Sequence, residues 1–118
     1  MFACARHWRA LPQALKSAIW REYKAGQEIS KTPSWRYIAV QRRAVGWLAF
    51  KANDEAAARA CAPYMIEAEI WRQRCIDAGD GDPLDGLPGG KPFERIDEAK
   101  AQAAIIAIRA EQRALGEL

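Results

Sequence analysis

At 118 residues, the chain has the length of one ordinary domain and needs neither a disulfide nor a metal to bury a core. No apolar run approaches the roughly 20 residues that span a bilayer, and Arg6 and Arg9 interrupt the start, where a secretion signal is apolar. We therefore expect a cytoplasmic protein. The net charge of +3 conceals a split: residues 1–51 carry ten Lys/Arg against two acids, and residues 52–118 carry eight against thirteen.

The first predicted helix covers residues 10–25. Pro12 suits its first turn, where a missing N–H costs nothing, and Gly26 suits the position just after its end. Residues 27–31 are polar and predict a connector. The apolar face of this helix repeats every four residues, at Leu11, Leu15, Ile19 and Tyr23.

The second predicted helix covers residues 33–51. Thr32-Pro33 supplies a hydroxyl N-cap followed by proline at the first helical position. Arg36, Arg43 and Trp47 are spaced by seven and four residues, which places them on one side of the helix.

Two further helices are predicted at residues 54–61 and 63–78. Pro63 divides them because proline lacks an N–H and its ring crowds the carbonyl of Arg59. Proline also disfavours the helical conformation at Ala62. We therefore expect a kink or a break at this point.

Residues 77–92 are predicted to form a loop because they contain five glycines, three prolines and four aspartates. The last predicted helix, 93–115, is rich in alanine, the residue with the highest helix propensity. No alternating run of β-branched residues predicts a strand. We therefore expect an all-α fold in which residues 1–118 form a single compact domain of four to five helices.

The sequence carries no motif typical of metal-dependent or nucleophilic chemistry. Cys4 and His7 have half the spacing of a zinc site, but His7 is the only histidine in the sequence and a structural zinc needs four ligands. A calcium loop that began at Asp80 would place Leu84 and Lys91 at ligand positions 5 and 12. We therefore predict no metal, no cofactor and no catalytic residue.

The cationic side of the helix at 33–51 is the feature most suggestive of function. Arginines beside a tryptophan suit a protein partner, and they also neutralise phosphates and stack on bases. A third reading places the tryptophans in the core and pairs the arginines with acids of the same domain. The candidate partner-binding residues are Lys31, Arg36, Arg42, Arg43, Trp47 and Lys51. A secondary acidic surface is predicted at Asp77, Asp80, Asp82 and Asp85.

Residues 4–45 carry a frame of aromatic, aliphatic, glycine and hydroxyl positions, which covers about a third of the chain. Its members are Cys4, Trp8, Leu11-Pro12, Leu15, Ile19, Tyr23, Gly26-Gln27, Ser34, Tyr37 and Ala44. This frame resembles short uncharacterised helical proteins encoded by bacteriophages and prophages. The resemblance implies a mobile-element context, in which small non-catalytic proteins commonly block host machinery such as defence complexes.

We therefore expect a non-catalytic phage-type interaction protein that binds and blocks a host protein or ribonucleoprotein complex in the bacterial cytoplasm. An anti-CRISPR inhibitor is one concrete form of this hypothesis. The alternative is a small basic nucleic-acid-binding protein that acts through the helix at 31–51. A small hydrolase or nuclease is the third reading, and the sequence lacks the clustered carboxylates that a metal nuclease needs.

Overall fold

The computed structural model describes residues 5–23, 34–51, 55–88 and 91–116. These residues form helices and loops without a strand, which confirms the predicted all-α single domain. The helices within the described ranges are α1 (Ala5–Ala10), α2 (Gln13–Tyr23), α3 (Trp35–Lys51), α4 (Glu55–Asp77) and α5 (Glu98–Ala114).

The centre of the fold is the pair formed by α3 and α4, against which α2 and α5 pack from either side. Alanines on α3 and α4 let the helices approach closely, and Gly46 marks the tightest point. A Cβ atom at Gly46 would lie 1.7 Å from the Met65 sulfur of α4. The core draws its members from three helices and two loops: Leu11, Leu15, Ala18, Ile19, Ala39, Val40, Ala44, Ala68 and Leu84.

The helix predicted at 10–25 begins at Gln13 as α2, and a separate short helix that was not predicted, α1, precedes it at Ala5–Ala10. Proline disfavours the helical conformation of the residue before it, and α1 accordingly ends ahead of Leu11 and Pro12. The Pro12 carbonyl then accepts the backbone N–H groups of Leu15 and Lys16, which starts α2. Its predicted end at residue 25 and the connector at 27–31 lie outside the described residues.

The start of α3 is capped by a hydroxyl, as predicted, but the hydroxyl is that of Ser34. Its Oγ accepts the backbone N–H of Tyr37 at 3.1 Å, which satisfies one of the free donors of the first turn. The predicted cap at Thr32-Pro33 lies outside the described residues.

The predicted break at Pro63 is wrong, because α4 runs without interruption from Glu55 to Asp77. Proline removes the N–H that would bond to the carbonyl of Arg59, four residues earlier. The side-chain amide of Gln112, on α5, donates a hydrogen bond to that carbonyl instead. The neighbouring helix α5 therefore supplies the hydrogen-bond donor that proline lacks, and α4 continues past Pro63 without a break.

We expect the cost of replacing Gln112 to depend on Pro63. Gln112→Leu removes the amide that donates to the Arg59 carbonyl and should lower the free energy of unfolding by about 1–3 kcal/mol. In a Pro63→Ala background the new backbone N–H serves that carbonyl, so Gln112→Leu should cost much less there. Urea denaturation of the four proteins measures this coupling, with the exposed Gln102→Leu as a control. Equal costs in both backgrounds would contradict the explanation.

The loop after α4 is packed onto the domain. Gly79, at φ 82°, ends α4 in a Schellman motif: the Asp80 N–H bonds to the Cys75 carbonyl and the Gly79 N–H to the Ile76 carbonyl. Farther along, Leu84 is buried in the core. The acid-rich segment therefore follows a fixed path across α3 and α4.

The last helix begins at Glu98, five residues later than predicted. Asp97 is its N-cap and accepts the backbone N–H of Lys100 at 3.2 Å. The preceding residue, Ile96, is held by Gln73 of α4, whose side-chain amide bonds to both its N–H and its carbonyl at 2.8 and 3.1 Å. Gln73 therefore fixes the extended approach to α5.

Candidate interaction surface

The predicted basic patch on α3 does not face outward as a unit. Arg36 pairs with the buried Glu22 of α2 at 3.0 Å, and it also donates to the Asp80 carbonyl of the loop after α4. Arg42 pairs with Glu67 of α4 at 2.7 Å. These two arginines link α3 to its neighbours within the chain.

The third arginine of the patch, Arg43, is only 6% exposed. It donates to the Met65 sulfur at 3.3 Å and to the Pro88 carbonyl at 3.2 Å, and its Nε has no hydrogen-bond partner among the described residues. Burial lowers the pKa of the Arg43 guanidinium, and nearby Glu69 opposes that effect. Arg43 is therefore a structural cation between α3, α4 and the following loop.

The remaining members of the predicted patch are scattered. Trp47 is half-buried and packs against the core, whereas Lys51 is exposed at the end of α3. Lys31 lies outside the described residues. The expectation of an outward cationic face is wrong for Arg36, Arg42 and Arg43, because carboxylates and carbonyls of the same chain hold them.

The predicted acidic surface is also partly neutralised. Asp82 forms a two-pronged ion pair with Arg72, and Asp77 pairs with Arg95 at 2.8 Å. The Arg95 hydrogen bond holds the pKa of Asp77 below its ordinary value. Among the four predicted positions, Asp80 and Asp85 are exposed and form no ion pair with another described residue. The expected four-carboxylate surface is therefore reduced to two separated acids.

A cleft of about 480 Å³ lies beside this loop, and Arg72 and Phe93 form part of its wall. The guanidinium of Arg72 is committed to Asp82 and Glu69 and sits 5.6 Å from the Phe93 ring centre. Its charge therefore stabilises the loop. Within the described ranges, no group of three or more His, Cys, Asp or Glu side chains is placed to hold a metal ion.

An aromatic ladder crosses α1, α2 and α3 on a different face. Trp8 and Trp20 meet edge to face with ring centres 6.1 Å apart, and Trp20 meets Tyr23 in the same way at 5.8 Å. Tyr23 then contacts Tyr37 of α3 at 6.0 Å. Trp20 and Tyr23 share one face of α2 because they are three residues apart. We call these four residues the aromatic ladder.

Trp20 is the open rung of the aromatic ladder, with 45% of its surface exposed, while Trp8 and Tyr23 are partly covered. Lys16 lies one turn earlier on the same face of α2, and the exposed Arg9 follows Trp8 on α1. Arg21 is also exposed and contacts Glu22 at 2.9 Å. Lys16 therefore lies beside the half-exposed indole, and Arg9 and Arg21 each follow a member of the ladder in sequence.

A second exposed tryptophan, Trp35, provides an internal comparison. It is exposed to the same 45%, but it packs against Trp71 of α4, which is also covered by the Arg74 guanidinium. Trp35 and Tyr37 are two residues apart, so they project to opposite sides of α3. The two exposed indoles therefore belong to separate faces of the molecule.

The aromatic anchor predicted from the sequence was Trp47, and Trp20 was not among the predicted site residues. A signal was present, because Trp20 follows the buried stripe residue Ile19 by one position and is therefore turned away from the core. Lys16 stands four residues before it, a spacing that places a cation beside the indole. The four-residue repeat that predicts the buried face of α2 therefore also predicts which side chains lie on its opposite, exposed face.

Comparisons of this chain with protein-family models, with curated proteins and with solved structures find no match. None of the helices in the described part of the chain combines the length and hydropathy needed to cross a membrane.

Proposed function

We propose that this protein is a non-catalytic interaction protein that binds a host protein or ribonucleoprotein complex and blocks it sterically. The observation that carries the proposal is the aromatic ladder, whose Trp20 is half exposed and has Lys16 one turn before it on α2. Trp, Tyr and Arg are the residues that dominate the energetics of protein interfaces. The proposed contact surface therefore lies on α1 and α2, and not on the basic side of α3.

The ladder supports binding because its open rung is already held in place. Trp20 contacts Trp8 on one side and Tyr23 on the other, so the indole needs little further ordering when a partner covers it. A preorganised side chain loses less conformational entropy on binding, and more of the contact energy appears as affinity. Edge-to-face packing contributes about 0.5–1.5 kcal/mol per pair to this orientation.

The class of partner follows from the resemblance of residues 4–45 to phage and prophage proteins. Three members of the aromatic ladder, Trp8, Tyr23 and Tyr37, belong to that frame, and Trp20 lies within the same stretch. A contact surface made of these residues suits a protein that covers a functional surface of a host complex and thereby blocks it. Inhibition of a CRISPR effector is one form that such blocking takes.

Direct nucleic-acid binding through residues 31–51 has less support. Its proposed phosphate contacts include Arg36 and Arg42, which are paired with carboxylates, and Arg43, which is buried. Phosphate binding through them requires breaking those pairs. A gel shift at low salt tests this alternative, and retardation that Arg36→Glu abolishes would favour it over a protein partner.

The proposal is tested by affinity capture from bacterial lysate with two matched variants. Trp20→Ala should abolish recovery of the partner, because interface tryptophans cost about 2 kcal/mol or more when truncated. Trp35→Ala removes an equally exposed indole from the other face and should leave recovery unchanged. Circular dichroism confirms that both variants fold.

Nuclease treatment of the lysate separates the kinds of partner. Recovery that survives nuclease indicates a direct protein contact, and loss of all recovery indicates capture through nucleic acid. Equal recovery by Trp20→Ala and the original chain would contradict the proposed surface.

A further inference from the structure

We infer that the surface recognised by the aromatic ladder is an acidic protein surface, a conclusion that rests on the proposed function. The supporting observation is a local excess of positive charge. Residues 5–23 carry four arginines and lysines against one acid, Glu22. Glu22 is buried and already paired with Arg36, so it does little to offset the cations outside.

The cations beside Trp20 are available to a partner, unlike most arginines of the molecule. Arg9 and Lys16 have no ion pair within the described residues, and the side chain of Arg21 is 58% exposed. In contrast, six arginines pair with carboxylates of other segments or turns of the chain: Arg36, Arg42, Arg72, Arg74, Arg95 and Arg109. Arg9 and Lys16 therefore remain available to a partner on the two helices that carry Trp8 and Trp20.

The number of available cations favours a protein over a nucleic acid. A nucleic-acid site that binds tightly neutralises about 6–10 phosphates. Within the part of the chain that the structure describes, the ladder offers two cations without an ion pair and a third that Glu22 partly neutralises, beside a large apolar ring. A partner protein with a few carboxylates around an apolar pocket is complementary to these cations and this ring. Trp20 fills the pocket, and the cations at its rim orient the partner as it approaches.

The test uses the whole ¹⁵N-labelled chain and defined probes. Its five tryptophans give five indole N–H signals in a heteronuclear NMR spectrum, and the Trp20 signal is the one missing from Trp20→Phe. The probes are a helical peptide of glutamate and leucine, the same peptide with glutamine for glutamate, and duplex DNA of equal charge.

We expect the Glu/Leu peptide to shift the Trp20 signal and to leave the Trp35 signal in place. The Gln/Leu peptide and the DNA should leave both signals unshifted. The double variant Arg9→Glu, Lys16→Glu should bind the Glu/Leu peptide about tenfold more weakly. Lys91→Glu, Lys100→Glu makes the same charge change at exposed sites far along the chain and should have little effect. Added salt should weaken the shift, because exposed charges are screened.

Three results would overturn the inference: an equal shift with the Gln/Leu peptide, an equal shift of the Trp35 signal, or a Trp20 shift produced by the DNA. If lysate capture depends on Trp20 while the Glu/Leu peptide leaves its signal unmoved, the acidic partner is excluded and the proposed interaction remains. If recovery of the partner from lysate does not depend on Trp20, the proposed function is contradicted. Failure of the inference and failure of the proposed function are therefore distinguishable.

Discussion

Replacing Arg72 with leucine is expected to lower the free energy of unfolding by about 3–5 kcal/mol. Arg72 is 3% exposed and donates to both carboxylate oxygens of Asp82, at 2.9 and 2.7 Å. Glu69, one turn away on α4, is a second partner at 3.4 Å. Leucine removes the cation but leaves both carboxylates partly buried, and an uncompensated buried charge is more costly than a lost pair.

The Arg72 variant should also respond differently to pH. Burial alone would raise the pKa of Asp82, but the Arg72 hydrogen bond and the Leu84 N–H outweigh burial and hold it below its ordinary value. The pair therefore stabilises the protein above the ordinary pKa of an aspartate, and this stabilisation is lost as the pH falls and Asp82 is protonated. In the Arg72→Leu variant, the loss of stability that accompanies protonation of Asp82 at low pH should therefore disappear.

Urea denaturation followed by circular dichroism measures both effects. Arg113→Leu is the matched control, because Arg113 is exposed near the end of α5 and should change stability by no more than about 0.5 kcal/mol. A double variant with Arg72→Leu and Asp82→Leu removes the orphaned carboxylate and should recover part of the loss. If Arg72→Leu costs no more than the control, the loop does not depend on this pair.

Leu15→Ala is expected to lower the free energy of unfolding by about 2–5 kcal/mol. Leu15 is completely inaccessible to solvent on the inner face of α2 and belongs to the same core cluster as Ala39 and Val40 of α3. Alanine removes apolar volume inside this cluster, and the surrounding side chains relax only partially into the space, so the cavity cost adds to the lost burial.

Thermal and urea unfolding of Leu15→Ala measure this loss, and Leu115→Ala provides the same chemical change at the surface. Leu115 is 63% exposed just after α5, so its truncation should change stability by about 0.5 kcal/mol or less. The difference between the two variants reports the contribution of burial at Leu15. Similar losses at both positions would show that the α2–α3 contact is not the core of the domain.

Local periodicity was sufficient to predict the all-α fold and the core face of α2, but it predicted neither α1 nor the continuity of α4 through Pro63. Leu11, Leu15 and Ile19, predicted to share one face, are all buried. The alanine content of the last helix and the glycines and prolines of the loop likewise act within a few residues of chain. These features were predictable because helix propensity, capping and a four-residue repeat depend on near neighbours alone.

The path of α4 through Pro63 depended on a residue far away in sequence. Pro63 has a strong local tendency to break a helix, and the donor that compensates for it, Gln112, lies 53 residues from the carbonyl it serves. No local rule identifies that donor. Only the packing of α5 on α4 brings the amide to the Arg59 carbonyl.

The sequence by itself determined that this is an all-α chain with a basic front half, because composition and short-range spacing set both properties. Tertiary structure decided which of those charges and tryptophans remain open to solvent. Glu22 pairs with Arg36, 14 residues away in sequence, and Glu67 pairs with Arg109, 42 residues away. Packing therefore neutralises cations that the sequence alone suggested were available to a partner. The physical reason is that ion pairs form between groups close in space. The open indole of Trp20, with Arg9 and Lys16 near it, is what that packing left exposed.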